Sequence, residues 1–177
     1  MKELKKYSWI AAAVTSVMGT LFHFVYEFSG NNTFVGMFAA VNESTWEHLK
    51  LLLTPAFLVG IAEWFIYGKN YKNFFPALFI SILAGMFAIT AAFYTYTGII
   101  GQNFMIADIA TFFIGVFVTY YLRYKIIKSG KLSSDKWVFI SLAGFAILFV
   151  FTAYASFNPP QINLFKDPLT GTYGTSF

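Results

Sequence analysis

Five long apolar runs, at positions 7–28, 45–67, 74–97, 104–124 and 136–157, constrain this chain more than any other feature. As a helix rising 1.5 Å per residue, each is long enough to cross about 30 Å of hydrocarbon. Lipid offers the backbone no hydrogen-bond partners, so a spanning segment must satisfy its own polar groups, as a helix does. The runs therefore predict an all-α, polytopic membrane protein: a bundle of five transmembrane helices over 1–157, followed by a tail at 158–177. A soluble domain is excluded by composition. Of the 177 residues 58% are hydrophobic and 11% charged, against about 25% charged in soluble domains. The first run is too long for a signal peptide and lacks a small-residue cleavage pattern, which predicts a retained span. One further apolar piece, 33–41, would reach only ~14 Å as a helix. It cannot span, and reads as a re-entrant or interfacial segment whose backbone must be covered by protein.

Lysine and arginine placement sets the expected orientation. Lys2, Lys5 and Lys6 precede the first run, Lys69 and Lys72 lie between the second and third, and Arg123, Lys125, Lys128, Lys131 and Lys136 lie between the fourth and fifth. The loops at 29–44 and 98–103 carry no Lys or Arg, so ten of the twelve basic residues fall on one side. The positive-inside rule makes that side cytoplasmic, with the amino terminus inside and the carboxyl tail outside. The same dispersal along loop flanks argues against nucleic acid as a partner despite a net charge of +4. The chain has no cysteine, which rules out disulfides and thiolate metal sites.

Against this apolar background, Asn42-Glu43-Ser44-Thr45-Trp46-Glu47-His48-Leu49-Lys50 stands out. A charge at a helix centre costs roughly 2.5–3.5 kcal/mol on insertion scales, so ionisable residues near the bilayer core mark a working site by default. His23 and Glu27 lie four apart on one face at the end of the first run. Glu43, Glu47 and His48 open the second run on the same side, and Asp108 lies just inside the fourth. Counted inward at 1.5 Å per residue, His23, His48 and Asp108 all fall within ~8 Å of the outer boundary. The expectation is one polar pocket at the outer mouth, formed by His23, Glu27, Glu43, Glu47, His48 and Asp108, with His23, His48 and Asp108 the set that would ligate a divalent metal ion.

Plainer roles exist for several of these residues. Ser44-Thr45-Trp46-Glu47 fits a capping box. Lys50 can pair with Glu47 or snorkel, Trp46, Trp64 and Trp137 suit the aromatic belt, and Glu63 can be solvated at the cytoplasmic end. Pro55 should bend the second helix and free a carbonyl. The alanines at 84, 88 and 92, with Gly85 beside them, predict a close helix contact inside the bundle, with a homo-oligomer interface as the alternative. The tail is read as a lid over the pocket.

Two functions fit these residues. Carboxylates and histidines at a bundle mouth can bind a cation or small polar solute and exchange protons for transport. Alternatively, two histidines and a carboxylate can hold a metal that activates water, making a membrane enzyme with an extracytoplasmic active site. The ligand spacing matches no established metal motif. The nine-residue block, Phe22-His23-Phe24-Val25-Tyr26-Glu27 and Asp167-Pro168-x-Thr170-Gly171-x-Tyr173-Gly174 resemble a family of small bacterial multi-pass membrane proteins of unassigned function. That resemblance implies the bacterial cytoplasmic membrane as location and carries no activity with it.

Overall fold

The structure is a computed structural model in which residues 2–175 are described. It is all-helical: α1 (Lys2–Phe28), α2 (Thr33–Gly36), α3 (Thr45–Ile66), α4 (Phe74–Ile100), α5 (Met105–Ser129) and α6 (Asp135–Phe157), with single 3-10 turns at Gly68–Asn70 and Asn163–Phe165. Five of the six are long and apolar enough to cross a membrane, and α2 is a four-residue turn. Several spans run beyond their apolar runs. Polar first and last turns, such as Lys2–Lys6 of α1 and Lys125–Ser129 of α5, continue the hydrogen-bonded helix past the length that hydrocarbon requires.

The most enclosed helix is α3 and the least enclosed is α6. Leu52, Leu53 and Ala56 of α3 are fully buried, and the same core takes in Ala77, Leu78 and Ile82 of α4, Val116 and Tyr120 of α5, and Phe145 of α6. The outside is as apolar as the inside. Val17, Leu21, Phe87, Ile106, Phe117, Phe139, Ile147 and Val150 are all well exposed, an exterior that suits lipid contact and not water. Helices in lipid gain nothing by hiding apolar surface from it, so close packing must hold them together. The tightest seam joins α4 to α5 at Gly85. A Cβ there would lie 2.0 Å from Thr119 Oγ1 and 2.8 Å from the Gly115 carbonyl oxygen. The contact expected of the alanine stripe is made by this glycine, while Ala84, Ala88 and Ala92 are only half-buried.

The segment after α2 lies along the first turns of α3. Lys50 Nζ donates to Gly36 O at 2.7 Å and Thr54 Oγ1 donates to Phe38 O at 2.8 Å. Side chains of α3 thus satisfy irregular backbone, the condition for such backbone at membrane depth. Thr54 Oγ1 is committed to Phe38 O, so it does not take up the carbonyl that Pro55 releases. The carbonyl that Pro55 releases, Leu51 O, faces α1 instead, 2.6 Å from where a Cβ on Gly19 would sit.

At the end where α1 begins and α3 finishes, Glu63 and Arg123 form a buried pair. Arg123 Nη2 donates to Glu63 Oε1 at 2.8 Å and Nη1 to Oε2, while Tyr67 Oη donates to Oε1 at 2.7 Å. The guanidinium lies over the Tyr120 ring, 4.4 Å from its centroid, and Tyr7 stacks on Tyr67 at 5.1 Å. Glu63 is therefore not solvated, and Arg123 is a core residue and not a loop flank. Both groups are buried, so bidentate pairing is what makes either charge tolerable. Trp46 is likewise no belt anchor: it is buried against Phe151 and Phe165, with centroids at 5.3 and 4.8 Å.

Arg123→Met leaves Glu63 buried and unpaired, and should cost about 3–5 kcal/mol. The double replacement Glu63→Met/Arg123→Met should recover most of that loss. Thermal unfolding of the four proteins in one detergent checks it, and additive losses would refute the pairing.

Candidate functional site

The nine-residue block divides its side chains between two faces. Asn42 Oδ1 accepts from Ser44 N at 2.9 Å, a short turn that sets Ser44 as the α3 N-cap, and Ser44 Oγ accepts from Glu47 N at 3.3 Å. The capping box is only half formed, because the Glu47 carboxylate does not return to the cap. It points inward, where Oε2 accepts from Val41 N at 3.0 Å and from Lys50 Nζ at 2.6 Å, and Oε1 accepts from Ser156 Oγ at 2.8 Å. Lys50 Nζ also donates to Ser156 Oγ at 2.8 Å. Three contacts use its three protons, to Glu47, Gly36 and Ser156. Both charged side chains are almost wholly buried, so Glu47 sits behind the mouth and not in it.

The other face carries the chain's two histidines. His48, one residue after Glu47, turns by about 100° around the helix axis, away from the buried pair. Its Nδ1 is 2.9 Å from Ser44 O, a contact only the protonated nitrogen can make as donor, which leaves Nε2 pointing outward. His48 Nε2 lies 3.4 Å from Glu43 Oε2, and His23 Nε2 lies 3.5 Å from the same oxygen. The two imidazole centroids are 5.3 Å apart. One ligand atom from each of His23, Glu43 and His48 lies within 4.8 Å of the other two, a group able to hold a metal ion. Gly19, one turn before His23, allows this meeting by letting α1 approach the α3 backbone closely.

Two members of the cluster, His23 and Glu43, line a cavity of about 430 Å³ together with Tyr26, Glu27, Asn31 and Asn42 among others. Thr175 of the tail also lines it. The tail is fastened there by Asn42 Nδ2, which donates to Gly174 O at 2.9 Å, and by Thr175 N, which donates to Ser156 O at 3.2 Å. Residues 176–177 of the expected lid lie outside the described residues.

Asp108 does not join this group. It lies in the first turn of α5, where Oδ1 accepts from Tyr96 Oη and Oδ2 accepts from Asn103 Nδ2 at 3.0 Å. The connection between α4 and α5 is short, so Tyr96 near the end of α4 and Asn103 in the connection each reach one oxygen of that carboxylate. Asp108 thus fastens a helix turn, and the expected set of His23, His48 and Asp108 is replaced by His23, His48 and Glu43. The depth argument that selected Asp108 fixes height in the membrane but not direction around a helix. Ser156, Tyr26 and Asn31 were missed. Nothing in the sequence distinguishes Ser156 from the other hydroxyls in apolar runs.

The close approach of the His23 ring, reinforced by the charges of His48 and His23, holds the Glu43 carboxyl below the ordinary carboxylate value against the opposing effect of burial. A group depressed on folding adds stability that is present above its unfolded value, about 4.3 for Glu, and lost as pH falls through the lower folded value. Glu43→Gln should therefore lower the melting temperature at neutral pH, and its difference from wild type should shrink as pH drops below about 4. Melting curves across that range check this; a pH-independent difference would contradict it.

No curated protein and no solved structure matches the chain. A family of unknown function, DUF6512, matches residues 1–175, and the chain belongs to that family.

Proposed function

We propose that the protein is an integral protein of the bacterial cytoplasmic membrane, amino terminus inside, whose outer mouth binds a cation or small polar solute. The observation that carries this reading is the meeting of the only two histidines at one oxygen of Glu43, which with His23 lines a polar cavity. Two imidazoles and two carboxylates, Glu43 and Glu27, supply acceptors for positive charge. Lysine placement supports the outward direction. With Arg123 withdrawn into the core, nine basic residues still flank the opposite end. The tail, pinned by Asn42 and Ser156, acts as a lid on the occupied pocket.

Proton-linked transport would extend this binding step. Beneath the mouth lie the Glu47–Lys50 pair and the fully buried Leu52 and Leu53, so passage requires α3 to part from its neighbours. The second reading, a metal-dependent enzyme, is favoured by Glu27. It lines the cavity one turn from His23, where a carboxylate can serve as general base.

Thermal unfolding of the purified protein against Na⁺, K⁺, Mg²⁺, Mn²⁺, Zn²⁺ and choline tests the binding step. At least one should raise the melting temperature saturably, with a stabilisation of about 2.7 kcal/mol at a hundredfold excess over Kd. The shift should vanish in Glu43→Gln and His48→Ala and persist in Asp108→Asn. Shifts that survive in the first two variants, or that none of the six produces, would contradict the proposal.

A further inference from the structure

The geometry points to a mononuclear site for a zinc-type divalent transition metal, ligated by His23 Nε2, His48 Nε2 and Glu43 Oε2, with its remaining position open to the cavity. This deepens the cation-binding reading and rests on it.

Spacing is the first argument. Ligands about 2.0–2.1 Å from a tetrahedral ion stand about 3.3–3.4 Å from one another. The two imidazole nitrogens lie 3.4 and 3.5 Å from Glu43 Oε2. Those distances are long for N–H···O hydrogen bonds, whose usual range is about 2.7–3.2 Å, and a single oxygen serves both rings. The arrangement therefore fits ligands around a shared centre better than a chain of hydrogen bonds. One ligand atom from each of the three residues already lies within 4.8 Å of the other two, so the side chains stand close enough to close around one ion.

Support behind the ligands is the second. A metal-bound histidine usually donates its other N–H to a carbonyl or carboxylate, which fixes the tautomer and the ring. Ser44 O does this for His48 Nδ1 at 2.9 Å. That carbonyl belongs to the α3 N-cap, and Glu43 is its immediate neighbour, held by the Asn42–Ser44 turn. Two of the three ligands are thus positioned by one helix start, and the third by α1.

Ligand chemistry selects the class of ion. Imidazole with carboxylate suits zinc, cobalt, iron(II) or manganese. Calcium and magnesium favour oxygen-only sets, and copper(I) favours sulfur. Two neutral imidazoles and one carboxylate leave a net charge of +1 on the bound centre. An open position facing a polar cavity with Glu27 in its lining would hold water, whose pKa a zinc ion lowers to about 7.

The test uses the full chain, untagged, in detergent. After exhaustive chelation, one equivalent of Co²⁺ should give the visible absorption of a four-coordinate ion and be displaced by one equivalent of Zn²⁺. His23→Ala, Glu43→Gln and His48→Ala should each weaken Zn²⁺ binding by at least about a hundredfold while eluting as monodisperse folded protein, because each removes a ligand outright. Asp108→Asn should bind as wild type. Absence of stoichiometric Zn²⁺ or Co²⁺, or binding indifferent to the three variants, overturns the metal site. If Na⁺ or choline then still stabilises the protein in a Glu43-dependent way, the pocket reading survives alone; if no cation does, both fall.

Discussion

Everything at the mouth depends on the buried Glu47–Lys50 ion pair. Two charges taken out of water or headgroup cost several kcal/mol each, and mutual attraction offsets that only when every remaining polar atom is also satisfied. Here it is: Val41 N, Gly36 O and Ser156 complete the shell. Because those partners come from the end of α2, the irregular segment after it and the end of α6, the pair ties all three to the first turn of α3. The same turn then has no choice about its other face. With residues 47 and 50 inward, His48 is directed toward α1, and Glu43 precedes the cap within reach of both histidines. One short motif therefore builds an anchor and exposes a ligand set.

A second ionic knot, Glu63 with Arg123, closes the opposite end. Between the two, α3 presents only apolar side chains and small residues to its neighbours, and packing is set by close approaches such as Gly85 against Thr119 and Gly19 against Leu51. Charge at each end and tight apolar contact between them suit a bundle whose surroundings are as apolar as its interior. Lipid supplies no force to drive the helices together, so polar pairs and small residues do.

The five spans were legible because hydrocarbon thickness imposes a length that sequence displays directly. Polar caps extended several helices beyond that length, which a rule about hydrocarbon does not register. Depth grouped the two histidines with Asp108, whereas in the structure it is Glu43 that stands between them. Lys50 was legible as a partner of Glu47 from its spacing, but the further partner of Glu47 and those of Glu63 and Asp108 were not. Each depended on which way a side chain points around its helix, and on neighbours remote in sequence, Ser156, Arg123 and Tyr96, that carry no local signal. Trp46 shows the same limit: its position suited a belt, yet the tail folds back and buries it under Phe165.

The most direct measurement is an anomalous difference map, at the zinc edge, of the protein crystallised in lipid with Zn²⁺. The account predicts one peak about 2.0–2.2 Å from His23 Nε2, His48 Nε2 and a Glu43 oxygen, with Asp108 still held by Tyr96. Imidazoles turned in unrelated directions, or a peak at Asp108 with none between α1 and α3, would contradict it.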